Sequence, residues 1–269
     1  VIWGKNDSNQ LTKSGAKEIL YVFETLLDVF GGGYGWCFFP PLLSSNKLNI
    51  PFIDNNWSIV SYFPKKSGNH DVCSRSIVEF KKGNYKFVKK WSQLIDDIFI
   101  NGKPNFDHEI IRHNSICIES SGKSEKFPKI DAIIRVLDHD ETIATGSKPI
   151  DEICNILSNK MRAKILKRFL RKAKPIRQLK YLDKEERKNE IKNIYNCTTD
   201  NIPKTIVDNL RNILIVDDIL TTGLTVSSIG KAIKTILPFS KIFVITLGRT
   251  MNTVEKNSTE LVELFTVNT

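Results

Sequence analysis

No two of the five cysteines form a C-x-x-C pair. Cys37, Cys73, Cys117, Cys154 and Cys197 are scattered along the chain. That pattern excludes the common zinc spacings and points to reduced thiols in a cytoplasmic setting. Each cysteine is expected as a small buried residue rather than a reactive one. No uninterrupted apolar run reaches the ~20 residues of a membrane-spanning helix, so no membrane partner is expected. No secretory signal is evident, and the sequence opens on Val1 rather than methionine, which leaves the true start open. Gly31-Gly32-Gly33 lacks the strand before and helix after that a dinucleotide loop needs. No internal repeat is present. What is present is a 41% apolar chain of 269 residues, enough for one large domain or one domain with a smaller attachment.

Positive charge is concentrated in one place. Between Lys160 and Lys192 stand 14 Lys and Arg against 4 Asp and Glu, which accounts for the whole net charge of +10. Three readings of that segment stay open: a solvated helical face, a basic wall facing pyrophosphate or another polyanion, and a contact with nucleic acid. The neutral balance elsewhere argues against a wide nucleic-acid footprint, whose affinity would fall steeply with salt.

The segment 212–237, NILIVDDILTTGLTVSSIGKAIKTIL, is the most specific in the chain. Residues 213–216 are a short aliphatic run, which predicts a strand buried on both faces. Asp217 and Asp218 follow at its carboxyl end, where open α/β sheets place their ligands. Thr221-Thr222-Gly223-Leu224-Thr225 then leads into a helix with Val226, Ile229, Ile233, Ile236 and Leu237 on its apolar face. A second strand is expected over 242–247, completing a βαβ unit. A helix N-terminus presents unpaired N–H groups and partial positive charge, and so binds a phosphate monoester without a basic side chain. Gly223 permits close backbone approach, the three threonines add hydroxyl donors, and the two carboxylates accept hydrogen bonds from a vicinal diol.

Elsewhere, apolar spacing predicts helices over 17–30 and around Phe87, Trp91, Leu94, Ile95 and Ile98, with these aromatics in the core. Strands are expected over 59–63 and 130–137. A long helix should carry Ile153, Ile156, Leu157, Ile165, Leu166 and Phe169 on its apolar side. The basic stretch after Pro175 has poor periodicity and reads as a mobile hairpin or loop covering the site. A short tail, 251–269, is expected to hold a helix over 260–265.

The string ILIVDDILTTGLT resembles the phosphoribosyl-pyrophosphate (PRPP) motif of type I phosphoribosyltransferases. A second likeness is to the competence-protein-F (ComF) type branch. It rests on SRSIVEFKKGNYKF at 74–87 and on Leu182, Arg187, Asn189 and Tyr195 within 171–197. The branch's Thr-x-x-Gln is not clear here; Lys174-Pro175 and Gln178 are the nearest residues. Its four-cysteine zinc ribbon is missing, so its metal site is not carried over. Thr221 stands where hypoxanthine-type members carry an acid, which argues against hypoxanthine or guanine salvage. The resemblance spans roughly residues 70–250.

What the resemblance implies is an α/β fold with an open, mainly parallel twisted sheet flanked by helices. It would carry an N-terminal α+β hood or extension over 1–69 and a tail over 251–269. Asp217 and Asp218 would hold the ribose hydroxyls and 221–225 the 5′-phosphate. The loop at 135–141 would hold pyrophosphate, with Arg135 as charge donor and His139 as a second group. Lys174, Arg177 and Arg187 would supply cations from the covering segment. Magnesium would enter with the substrate, with Asp217 and Asp218 as candidate ligands. The implied activity is transfer of ribose 5-phosphate from PRPP to a nitrogen acceptor. A PRPP- or nucleotide-sensing module without turnover, in DNA uptake, phage defence or regulation, and a nucleic-acid-associated protein using 160–192 are the alternatives. A homodimer stays open.

Overall fold

The computed structural model describes residues 49–65, 72–100, 103–104, 128–176, 184–191, 193–200 and 202–250. The helices expected over 17–30 and 260–265 lie outside these residues. Five parallel strands form the central sheet. They are β1 (Asn55–Tyr62), β4 (Ala132–Arg135), β5 (Lys164–Ile165), β8 (Asn212–Leu220) and β9 (Lys241–Thr250), in the order β1-β9-β8-β4-β5. Two short antiparallel pairs stand apart, β2 (Phe99–Ile100) with β3 (Lys103–Pro104) and β6 (Leu170–Lys172) with β7 (Tyr195–Cys197). The mainly parallel α/β sheet expected from the βαβ pattern is present. Asn55–Tyr62, which the sequence reading places in the N-terminal extension, is an edge strand of this sheet.

Alternation along β8 sorts the core into two layers. Leu214 and Val216 face helices α1 (Val72–Lys81), α2 (Tyr85–Ile98) and α3 (Pro149–Met161). Ile213 and Ile215 face α4 (Lys184–Ile191) and α6 (Leu224–Ile236), while the short α5 (Lys204–Val207) precedes β8. Trp91, Leu94 and Ile95 are core residues, as their spacing predicts. On α6, Val226, Ile229 and Ile233 are buried, each worth roughly 1.5–3 kcal/mol on full burial. Ile236 at its end is exposed.

The long helix expected through Phe169 stops at Met161. Arg162 takes a left-handed conformation with φ 53°, Ala163 N–H donates to Ser158 O at 3.1 Å, and Ser158 Oγ donates to Ala163 O at 2.6 Å. These bonds satisfy carbonyls at the helix end. The chain then turns into the sheet, where Lys164 N–H reaches Asp131 O at 3.0 Å and Leu166 N–H reaches Ile133 O at 2.9 Å. Leu166 and Phe169 are buried all the same, in the core cluster that holds Leu170 of β6 and Tyr195 of β7, rather than on a helix. The free edge of β4 offers carbonyls that a continued helix would have left unpaired. The basic segment after Pro175 contains α4 and returns as β7, so it is partly helical.

Two crossovers diverge in the middle of the sheet. From β4 the chain runs outward to β5; from β8 it runs the other way to β9. Strand β4 leaves its neighbour early: Arg135 is opposite Val216, and Val136 N–H to Val216 O (2.9 Å) extends the contact by one residue. Strand β8 goes on alongside β9 as far as Leu220 opposite Arg249. A crevice therefore opens beyond Val216, between the carboxyl ends of β4 and β8. This is the switch point at which open α/β sheets bind ligands.

Candidate functional site

The crevice widens into a cleft of about 510 Å³ lined in part by Asp217, Asp218, Thr221, Thr225, Arg135 and His139. Two sets of residues far apart in sequence thus meet at one opening. Among the described residues no helix is long and apolar enough to cross a membrane.

Asp217 and Asp218 lie near the carboxyl end of β8, and the strand continues past them to Leu220. Strand geometry sends neighbouring side chains to opposite faces. Asp218 N–H nonetheless donates to Asp217 Oδ1 at 2.9 Å, which holds the first carboxylate beside the second residue. Burial pushes the Asp217 carboxyl up, and the neighbouring Asp218 adds to the shift. Asp218 is paired with Lys81, Nζ to Oδ2 2.6 Å.

Gly223 caps α6 with φ 76°, and a Cβ there would stand 2.8 Å from Ile50 Cδ1. Both the left-handed conformation and the close approach require glycine. The first intrahelical bond runs from Ser227 N–H to Gly223 O at 2.8 Å. The N–H groups of Leu224, Thr225 and Val226 thus precede the helical ladder, in the position of anion donors. Thr221 and Thr222 are exposed and Thr225 is half-buried, so their hydroxyls stand around this helix start.

The loop after β4 is held by Arg135, which is only 5% exposed. Its guanidinium forks onto Glu141, NH1 to Oε2 2.6 Å and NH2 to Oε1 2.7 Å, while Nε donates to Asp151 Oδ1 at 2.7 Å. NH1 also donates to Val136 O at 3.2 Å. All three guanidinium nitrogens therefore have protein acceptors, and the residue expected to meet pyrophosphate instead anchors the loop and the start of α3. Burial alone would lower its pKa, but the two carboxylates outweigh burial and raise it. Glu141 in turn accepts from Asp138 N–H at 2.9 Å and from Thr145 Oγ1 at 2.9 Å.

Asp138 is a cleft carboxylate that the motif reading did not single out. His139 N–H donates to Asp138 Oδ1 at 2.9 Å, and the His139 ring Nδ1 lies 3.1 Å from the same oxygen. Lys148 Nζ stands 3.4 Å from Asp138 Oδ2 and 3.3 Å from Asp140 Oδ1. Lys172, 4% exposed, donates to Asp138 O and lies 5.8 Å from the Tyr195 ring centroid. Burial pushes its amine down to about 8 despite the nearby acids. Asp138, His139 and Asp140 lie close enough to share an ion. Lys148 already pairs with both of these carboxylates, and His139 Nδ1 lies against Asp138 Oδ1.

Of the covering segment, Lys174 is exposed and is not among the described cleft-lining residues. Arg187 is placed on α4 by its backbone. Arg177 lies outside the described residues. Tyr195 does line the cleft, and its phenol is raised by burial and by Asp217. Lys81, Lys82, Asp138, Lys148 and Tyr195 are polar cleft groups to which the sequence reading assigned no role. Lys81 lies inside SRSIVEFKKGNYKF, so that segment carried a usable signal.

The loop's acids set an acid limit on stability. Burial alone would raise Glu141, but hydrogen bonds from Arg135 and from Asp138 N–H reverse this and hold it at about 2, against an ordinary 4.5. Asp138 is likewise held at about 2, against burial, by His139 and the nearby lysines. A depressed folded value contributes stability that is complete above the unfolded pKa and is lost as pH falls through the folded one. The contribution of these two acids is therefore constant between about pH 7 and pH 5, and urea melts in an Asp217→Asn background, which removes the opposing titration of that buried acid, should weaken progressively from about pH 4.5 toward pH 2. In that background, a melt at about pH 3 equal to that at about pH 5 would contradict the Arg135–Glu141 arrangement.

No protein-family model matches the chain, and no curated protein does.

Proposed function

We propose that the cleft binds PRPP and that the protein is a phosphoribosyltransferase of the type I class, closest in character to the ComF-like branch. The observation that carries this reading is the meeting of three parts at the switch point. These are the acids at the end of β8, the glycine-capped helix start after it, and the loop after β4. A ribose 5-phosphate fits that order chemically. Its diol needs paired acceptors, its phosphate needs clustered N–H and hydroxyl donors, and its anomeric substituent then points toward the β4 loop.

In the reaction the bond from the anomeric carbon to a pyrophosphate oxygen breaks, and a bond to an acceptor nitrogen forms. The transition state resembles an oxocarbenium ion, as in other glycosyl transfers. Asp217 and Asp218 orient the ring through its hydroxyls, which aligns the carbon with both partners. The helix start fixes the opposite end. The β4 loop, stiffened by Arg135, Glu141 and Asp151, presents its backbone and His139 to the departing anion. Lys81 and Lys148 supply positive charge at the same mouth. The carboxylates of Asp217, Asp218 and Asp138 are hard oxygen donors, so the cleft fits magnesium carried in with the diphosphate. That ion, when bound, supplies neutralisation of the pyrophosphate charge.

Titration calorimetry with PRPP and magnesium is expected to give saturable binding, and pyrophosphate release should appear with one of a panel of nitrogenous acceptors. Binding without release for every acceptor would leave the sensing module as the activity. Absence of binding would remove the PRPP reading and return the basic segment to a nucleic-acid role.

A further inference from the structure

Lys81 is the last residue of α1, and its amine crosses the cleft mouth to Asp218 at 2.6 Å. The negative charges of Asp217 and Asp138 also act on it, and together with Asp218 they outweigh burial and raise its pKa. Its side chain is 54% exposed while that of Asp218 is 15% exposed, so the lysine has open space beside it and the carboxylate has little. Its neighbour Lys82 also lines the cleft but is paired with Glu79, Nζ to Oε1 2.6 Å, rather than with either β8 acid.

The cations around the β4 loop hold acceptors that a sugar would leave alone. Lys148 sits on Asp138 and Asp140, and Lys172 on the Asp138 carbonyl. Lys81 differs, because its partner is one of the two carboxylates that a vicinal diol would engage. Ammonium and diol compete for the same lone pairs. A ligand that takes Asp218 thereby releases a flexible cation with three donors beside its own anomeric substituent.

We propose that Lys81 is an exchangeable counter-ion. It holds Asp218 in the empty protein, yields that carboxylate to the sugar diol, and turns its amine to the anionic group on the anomeric carbon. This rests on the cleft being a PRPP site. The exchange makes the protein discriminate between a sugar phosphate with an anionic anomeric substituent and one without. Displacing Lys81 is unfavourable for both ligands, and only the diphosphate-bearing one recovers the contact.

The test is Lys81→Met, which keeps the stem and removes the charge, with Lys81→Arg as the charge-retaining control. Calorimetry would compare PRPP with ribose 5-phosphate, both with magnesium. In Lys81→Met the preference for PRPP over ribose 5-phosphate should fall by about tenfold or more, with ribose 5-phosphate binding as well as before or better. Lys81→Arg should keep most of the preference. A merely structural role would move both ligands by the same factor. A preference changed by less than about threefold in Lys81→Met overturns the inference while leaving the PRPP reading intact. If the unaltered protein binds neither ligand, both the reading and the inference fall.

Discussion

Asparagine at both Asp217 and Asp218 is expected to abolish PRPP binding while the fold survives. A hydrogen bond to a charged group contributes about 1.5–3 kcal/mol, so two weakened acceptors should lower affinity by roughly a hundredfold to ten-thousandfold. Stability should move little, or rise. Burial and Asp218 hold the Asp217 carboxyl above its unfolded pKa. A raised folded value means stability that is complete below the unfolded pKa and lost as pH rises through the folded one. The amide removes that loss, so the double variant should melt at or above the unaltered protein at neutral and mildly alkaline pH. Losing the Lys81 ion pair subtracts little, because the lysine is half exposed. Calorimetry and thermal melting read both arms. An affinity left unchanged would end the assignment of these acids to the sugar.

Arg135→Met should be the most destabilising single change in the cleft, by about 3–5 kcal/mol, because it leaves two buried carboxylates without their cation. Their side chains are 4% exposed for Glu141 and 10% for Asp151. Adding Glu141→Gln and Asp151→Asn should restore part of the loss, since the remaining groups are neutral. Urea melts of the two variants would show this. The sequence reading of Arg135 as a pyrophosphate ligand makes the opposite forecast: ordinary stability and weakened PRPP binding. A melt within about 1 kcal/mol of the unaltered protein would favour that older role and remove the anchoring one.

Strands, helix and glycine-capped loop at 212–250 were readable because each rests on local physics. A β-branched run favours strand, apolar residues at helical spacing favour an amphipathic helix, and a glycine before a helix favours a turn. The same local rules misjudged 162–170. There the helical spacing of Ile165, Leu166 and Phe169 was real, but a sheet edge at β4 competed for the backbone and won. They also placed Arg135 at a strand's carboxyl end without indicating where its side chain goes. Glu141 and Asp151 are close in sequence, yet their convergence depends on how the loop folds back over α3.

By itself the sequence determined the acid pair, the glycine-capped helix start, the parallel βαβ unit and the concentration of charge in 160–192. Each is set by residue type and short-range spacing. The tertiary structure decided which strands part to open the cleft, that Asn55–Tyr62 closes one edge of the sheet, and that Arg135 is bound inside the protein. It also brought Lys81 from a distant helix onto Asp218. Such pairings follow from strand order and from the desolvation of charge on packing, and neither is encoded in any local stretch of the chain.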